Sequence, residues 1–333
     1  MKPRVVCVGA NLESEIVFNK LIERDVNVVG LVTLPTGAIS EVSDYRDLHG
    51  CAEDAGIEVV ETEDINSAKT LSAVRALNPD YVFVLGWSQV LKAEALSVAS
   101  RYIVGSHPTP LPKRRGRAPI PWTILDRVQS SAVTLFKMSR KVDDGLILVQ
   151  KSFDLPVRPF AMDVYLLAAE ALSDAYIELY QKIVLSDVKE MVQEEKFATY
   201  RGKRSPQDGF LDFSQQVDDV DCLVRAVSRP YPGAYFYHKN HKVVVWGCEL
   251  YDGPERVGIP GQVLAKQKEG LVVSAVDGCL ILRDFEISGE KIPLSYFNLG
   301  DVFNYRVDDE IHDLRQRVAN LEALLLSKQV EEK

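Results

Sequence analysis

The stretch Ile103–Trp122, IVGSHPTPLPKRRGRAPIPW, decides how the rest of the chain is read. It opens as a short apolar strand, ends that strand at His107, and runs into a loop rich in proline and cations. Pro108, Pro110, Pro112 and Pro119 fix φ and lack an N–H, so this loop is expected to be rigid and to lie outside the sheet. Open α/β sheets place their ligand sites beside the carboxyl ends of parallel strands, where such a loop would stand.

Upstream, apolar runs alternate with helical periodicity. Val5–Gly9 is a continuous apolar strand of the fully buried kind, and Asn11–Arg24 carries Phe18, Leu21 and Ile22 on one helical face. Val28–Leu34 is the next strand, Tyr45–Ala55 reads as a helix, Val59-Val60 as a short strand and Ser67–Leu77 as a helix. Pro79-Asp80 then opens the strand Tyr81–Gly86. This alternation predicts a doubly wound, mostly parallel, Rossmann-like sheet. No Gly-x-Gly-x-x-Gly follows the first strand, so there is no dinucleotide fingerprint. Beyond the central stretch, Ser131–Met138 and Leu146–Phe153 read as strands joined by a hairpin-like connection, and Met162–Val184 as a long helix.

Length and composition set the class. With 333 residues, 46% apolar and 26% charged, the chain is long enough for two domains with real cores. Its five cysteines (7, 51, 222, 248 and 279) form no Cys-x-x-Cys pair, which argues for a reducing cytosol and against a metal site or disulfide frame. A cytoplasmic protein is therefore expected, with no membrane span and no signal peptide. The net charge of −9 disfavours a general nucleic-acid binder.

The central stretch resembles the folate-dependent formyltransferases: the methionyl-tRNA, glycinamide ribonucleotide and nucleotide-sugar N-formyltransferases. Their pattern is Asn-x-His on the strand, Leu-Pro-x-x-Arg-Gly-x-x-Pro-Ile in the loop, and Asp-x-Gly farther on. Here His107, the run Leu111–Ile120 and Asp143-Asp144-Gly145 match, and Asp143 follows His107 by 36 positions, as in the family. One position departs: Gly105 stands where the family carries its catalytic Asn. TYRGKRSPQDG (Thr199–Gly209) and RAVSRPYPGA (Arg225–Ala234) resemble the family's interdomain segments.

The resemblance implies a catalytic domain over 1–200, a linker over 201–233 and a small β-barrel-like (OB-like) domain over 234–305. Short β runs at Val243–Trp246, Gln262–Ala265, Leu271–Ala275 and Leu280–Phe285 suit the last of these. A terminal helix over 306–333 is expected to follow. Its Ile311, Leu314, Val318, Leu321 and Leu325 keep 3-4-3-4 spacing, and Lys328 breaks the series. That spacing fits a homodimer contact, and it also fits a helix capping the barrel.

The resemblance also assigns roles. Formyl transfer to an amine needs a bound donor, a proton acceptor and a partner for the developing oxyanion. His107 is the expected general base or oxyanion partner, since imidazole titrates nearest working pH, and Asp143 would orient it. Gly105 or Ser106 would take over from the missing Asn, the first through its backbone and the second by rotating in. The donor, 10-formyltetrahydrofolate, is expected against Gly86, Trp87, Gln89, Val90 and Leu91, where Gly86 permits close backbone approach, and against Ser139, Arg140, Lys141, Val142 and Asp143. No metal is implied. Thr109, Pro110, Leu111, Pro112, Lys113, Arg115 and Arg117 are expected to meet the acceptor, the cations facing a diphosphate.

Three features choose among acceptors. The segment after the second strand, Pro35–Gly50, holds three acidic residues and one Arg, and residues 234–305 hold seven Lys/Arg against nine Asp/Glu. Neither suits a tRNA phosphate surface, which needs clustered cations. Ser43-Asp44-Tyr45-x-x-Leu48 is similar to the sugar formyltransferases. The expectation is therefore a nucleotide-linked amino sugar, with methionyl-tRNA as the alternative acceptor. A non-catalytic binding homologue is kept open by Gly105, and a formate-releasing hydrolase stands fourth.

Overall fold

The computed structural model describes residues 2–37, 44–303, 311 and 314–322. The chain divides into two compact units, residues 1–209 with 222–233 and residues 210–221 with 234–333. The segment expected to act as a linker, 201–233, is shared between them.

The first unit begins with β1 (Val5–Val8), α1 (Leu12–Glu23), β2 (Val28–Thr33), α2 (His49–Asp54), β3 (Glu58–Glu61), α3 (Ala68–Ala76) and β4 (Tyr81–Val84). It continues with β5 (Tyr102–His107), β6 (Arg115–Gly116), α4 (Pro119–Leu125), β7 (Ser130–Lys137), β8 (Ile147–Asp154), α5 (Ala161–Val184) and β9 (Tyr200–Arg201). Seven of its strands form one sheet in the order β3-β2-β1-β4-β5-β7-β8. The strands from β3 to β5 are parallel, and β7 runs antiparallel to both its neighbours. All four residues of β1 are buried, as a central strand covered on both faces requires. The winding reverses between β1 and β4, which puts the crevice at the carboxyl ends of β1, β4 and β5.

Local chemistry sets the helix starts. Asn11 caps α1 by accepting from Ser14 N–H at 2.9 Å, and Ser67 caps α3 by accepting from Thr70 N–H. The 24-residue α5 buries Val164, Ala168, Leu172, Ala175, Tyr176 and Leu179, and packs against α1, β7 and β8. Its Tyr176 hydroxyl donates to Val84 O at 2.7 Å, tying helix to sheet. The helix expected over Tyr45–Ala55 is shorter, only His49–Asp54. Tyr45 is instead bridged to Asn11, and the Asp47 carboxylate accepts from His49 N–H at 3.0 Å, which starts the helix late.

The turn-rich segment Thr199–Gly209 contributes β9, which pairs in parallel with β6. The proline-rich loop is thus outside the main sheet but has a two-strand ladder of its own.

α6 (Val217–Ala226) precedes the second unit's β10 (Ala234–His238), β11 (His241–Leu250), β12 (Val263–Lys266), β13 (Leu271–Ser274), β14 (Cys279–Ile287) and β15 (Glu290–Ile292). These form an antiparallel sheet in the order β10-β11-β14-β13-β12, with β15 on β14. Phe213, Phe236, Phe285, Phe297 and Phe303 form its core, Phe236 and Phe303 stacked with centroids 4.0 Å apart. β10 and β15 are strands that the sequence reading did not anticipate.

Candidate active site

His107 ends β5 and is 6% exposed. Its Nε2 lies 3.0 Å from the carbonyl oxygen of Arg114. A carbonyl only accepts, so Nε2 carries the hydrogen and the neutral ring keeps its lone pair on Nδ1. That Nδ1 stands 3.9 Å from Asp143 Oδ2, a separation that leaves the lone pair free beside a carboxylate. Asp143 Oδ2 also accepts from Gly116 N–H at 3.1 Å, which fixes the carboxylate. Asp144 turns the other way, toward the Ser139 hydroxyl. Of the adjacent aspartates, Asp143 is the one brought to the histidine.

The backbone around these groups is unusual. Arg114 (φ +59°), Ala118 (+55°) and Asp143 (+56°) are left-handed without being glycine, and Gly116 has φ +111°. Such conformations cost energy and persist where surrounding contacts hold them. Here the contacts are dense. Thr109 is fully buried and its hydroxyl donates to Lys113 O at 2.9 Å, while Thr134 donates to Thr109 O at 2.7 Å. Leu111 O accepts from Gln150, and Arg114 N–H donates to the Thr199 hydroxyl at 2.8 Å.

The cations of the loop separate into two kinds. Lys113 and Arg117 are exposed. Arg115, expected to meet the acceptor, is buried at 3% exposure, and its guanidinium is taken by Gln193, Glu195 and Tyr200 at 2.8–3.2 Å. Arg114 is likewise buried, donating to the Thr123 and Ser131 hydroxyls, and burial pulls its pKa below the usual arginine range. Both arginines shape the loop from beneath. Thr109 does the same, its hydroxyl being used within the loop.

Gln193 is the contributor that sequence reading missed. Its amide nitrogen donates to Asp143 O at 3.0 Å and Gly145 O at 2.8 Å, while its oxygen accepts from Arg115. One side chain therefore ties the cationic loop to the Asp143 turn.

Position 105 is closed. A Cβ added to Gly105 would come within 2.9 Å of both Met138 Cγ and Phe136 Cζ, so those side chains fill the space of the absent Asn. Ser106 is turned to the opposite face, its hydroxyl on Val84 O at 3.2 Å, as strand alternation requires. The rotation by which Ser106 would serve the site is not the arrangement found.

The loop after β4 turns at a glycine whose missing side chain makes room for Asn11, not for a ligand. Gly86 has φ +103°, and a Cβ there would press to 2.9 Å on the Asn11 amide. Trp87 packs on the core together with buried Leu91. Gln89 is committed to its own scaffold, accepting from Ile65 N–H and donating to Glu63 O. Val90 is 66% exposed and Val142, on the loop before Asp143, is 64% exposed. Ser139, Arg140 and Lys141 are exposed on that second loop. Among the described residues no group of His, Cys, Asp and Glu is arranged to hold a metal ion, and no helix is long and apolar enough to cross a membrane.

Comparison with known proteins gives the chain a lineage. A family model described as "Formyl transferase" matches residues 4–175, and one described as "Formyl transferase, C-terminal domain" matches residues 203–298. A methionyl-tRNA formyltransferase of Akkermansia muciniphila is 28% identical over 292 residues, 86% of this chain and 92% of that protein. Among solved structures, HypX from Aquifex aeolicus in complex with tetrahydrofolic acid aligns with TM-score 0.66 at 18% identity over 92% of this chain. The chain spans about half of that protein's length, 51%. An N-formyltransferase from Helicobacter canadensis, in complex with folinic acid and dTDP-3-aminofucose, aligns with TM-score 0.61 at 16% identity, covering 86% of this chain and all of that one. At these identities the structural likenesses speak for the fold.

Proposed function

Since the chain belongs to the formyltransferase family, we propose that it moves a formyl group from 10-formyltetrahydrofolate to the amine of a nucleotide-linked amino sugar. The observation that carries this reading is the pairing of His107 and Asp143 at 3.9 Å at the mouth of β5, inside a loop locked by buried hydrogen bonds.

The donor would supply the formyl carbon to be attacked. The loops expected to meet it fit an aromatic, partly apolar molecule, because Val90 and Val142 stand exposed on them. His107 acts through Nδ1. With Nε2–H held by the Arg114 carbonyl, Nδ1 is the atom free to take a proton from the attacking amine, directly or through a water. The Asp143 carboxylate stands 3.9 Å from that atom, facing the imidazolium as it forms, and its bond from Gly116 keeps it in place. The imidazolium then offers Nδ1–H to the oxygen on which charge develops or to the departing nitrogen. Gly105 adds no side-chain donor, so more of this stabilisation falls on His107.

The acceptor reading rests on charge. Lys113 and Arg117 remain as exposed loop cations for a diphosphate. The Ser43 part of the Ser43-Asp44-Tyr45 similarity lies outside the described residues. Asp44 itself accepts from the Tyr165 hydroxyl. The binding of dTDP-3-aminofucose by the Helicobacter protein agrees with this class of acceptor. Methionyl-tRNA is the second reading, favoured by the Akkermansia relative. The protein is proposed to act in the cytoplasm.

The test is mass spectrometry of a panel of nucleotide-linked amino sugars, and of charged initiator tRNA, incubated with protein and 10-formyltetrahydrofolate. A sugar product heavier by one formyl group supports the proposal. Formylation of the tRNA alone replaces the acceptor, and donor binding without any product would make the chain a binding homologue.

A further inference from the structure

Ile311 and the run 314–322 are helical, and every described residue of that helix is exposed. Ile311, Leu314, Val318 and Leu321 are 41%, 47%, 52% and 60% exposed. Their 3-4-3 spacing lines them along one face. A lone helix of this length is marginal in water, and nothing among the described residues of its own chain covers its apolar side. The sequence continues the stripe to Leu325, which lies outside the described residues.

We propose that this stripe pairs with the same stripe of a second copy, as a parallel, in-register, two-stranded coiled coil. In heptad terms Ile311 and Val318 occupy a positions, and Leu314 and Leu321 occupy d positions. A β-branched residue at a with Leu at d is the combination that favours two parallel strands. The flanks agree with that choice. Arg317 falls at g and Glu322 at the following e, and in a parallel pair each g residue faces the next e of the other helix. Arg317 thus meets Glu322 of the partner subunit, twice by symmetry. The occupant is a second copy because the seam's charges complement each other. The narrow stripe, two residues wide and bordered by Arg315, Arg317 and Glu322, is too thin and too charged for a lipid surface. The inference is independent of which acceptor the catalytic unit uses.

The experiment is sedimentation of the full chain over a concentration series. A reversible dimer is expected, and Leu314→Asp with Leu321→Asp should raise its dissociation constant by at least about 100-fold, because two carboxylates would enter the apolar seam. The thermal transition of the remaining structure should stay in place, since these side chains are exposed in the single chain. Arg317→Glu and Glu322→Arg should each weaken the dimer, and the two together should restore it. Leu321→Cys should cross-link to itself on oxidation, as only a parallel, in-register pair brings those positions together. A monomer at the highest soluble concentration overturns the proposal. So does a dimer indifferent to the double aspartate variant, a charge exchange without rescue, or a Leu321→Cys variant that fails to cross-link.

Discussion

Met138 stands against Gly105: a Cβ at position 105 would come within 2.9 Å of Met138 Cγ and equally close to Phe136 Cζ. Gly105 pairs with Phe136 across the antiparallel β5–β7 ladder, so the neighbours that fill the space belong to the adjacent strand and its continuation. Gly105 has no positive φ, which makes this a matter of packing and not of backbone strain. Gly105→Asn should therefore destabilise the protein by about 1–3 kcal/mol through overpacking. Gly105→Asn with Met138→Ala should recover part of that loss, and a double-mutant cycle in denaturant should show coupling of opposite sign to the single effects. Additive behaviour would mean that Met138 is not what excludes the larger residue.

The paired groups His107 and Asp143 should separate in kinetics. His107→Ala removes the proton acceptor, and formyl transfer is expected to fall by about 10²–10⁴-fold in kcat, with donor KM little changed. Asp143→Asn retains an oxygen able to accept from Gly116 N–H but loses the charge. It should cost less than Asp143→Ala, which also leaves that N–H without its partner. Equal losses for Asn and Ala would show that the carboxylate's charge is the whole contribution.

Much of this arrangement was legible in the sequence, and the exceptions share a cause. The alternation of apolar runs revealed the sheet, because a strand covered on both faces must be apolar throughout. Proline spacing placed the loop outside that sheet. By contrast, Lys113–Arg117 reads as a surface cluster, yet Arg115 is buried because its partners Gln193, Glu195 and Tyr200 lie 78 to 85 positions away. The filling of position 105 depends on the β5–β7 register, which local pattern does not display. Tyr45–Ala55 has helical periodicity, but the Asp47 side chain supplies a later starting point.

Gln193 makes a prediction of its own. Replacing it with Leu keeps the volume but leaves Asp143 O, Gly145 O and part of the Arg115 guanidinium without this partner. Buried groups left unpaired cost about 1–3 kcal/mol each, so Gln193→Leu should lower the melting temperature by several degrees. Since the Asp143 turn loosens, kcat should fall even when assayed well below the new transition. A stable Gln193→Leu variant with unchanged kcat would remove Gln193 from the positioning of Asp143.

Lys113 and Arg117 should act on acceptor binding and not on chemistry. Both are exposed, whereas Arg114 and Arg115 are held beneath the loop. Reversing the two exposed charges is expected to raise acceptor KM at least about tenfold at low salt, with the difference shrinking as salt is added. An unchanged KM would exclude a diphosphate from this face of the loop.

The acidic neighbourhood of α1 should appear in the pH dependence of stability. Desolvation at its partly buried position, with Asp44 beside it, pushes the Glu13 carboxyl from an ordinary 4.5 up to about 8. Between those values the folded chain holds a proton that the unfolded chain releases, so stability contributed at this position falls as pH rises through the window. Glu13→Gln mimics the protonated form and removes the dependence. The variant and the parent should melt together near pH 4.5, and the variant should melt progressively higher as the pH approaches 8, levelling off beyond it. A constant offset between the two across the series would mean that Glu13 titrates normally and that its surroundings accept the charged form.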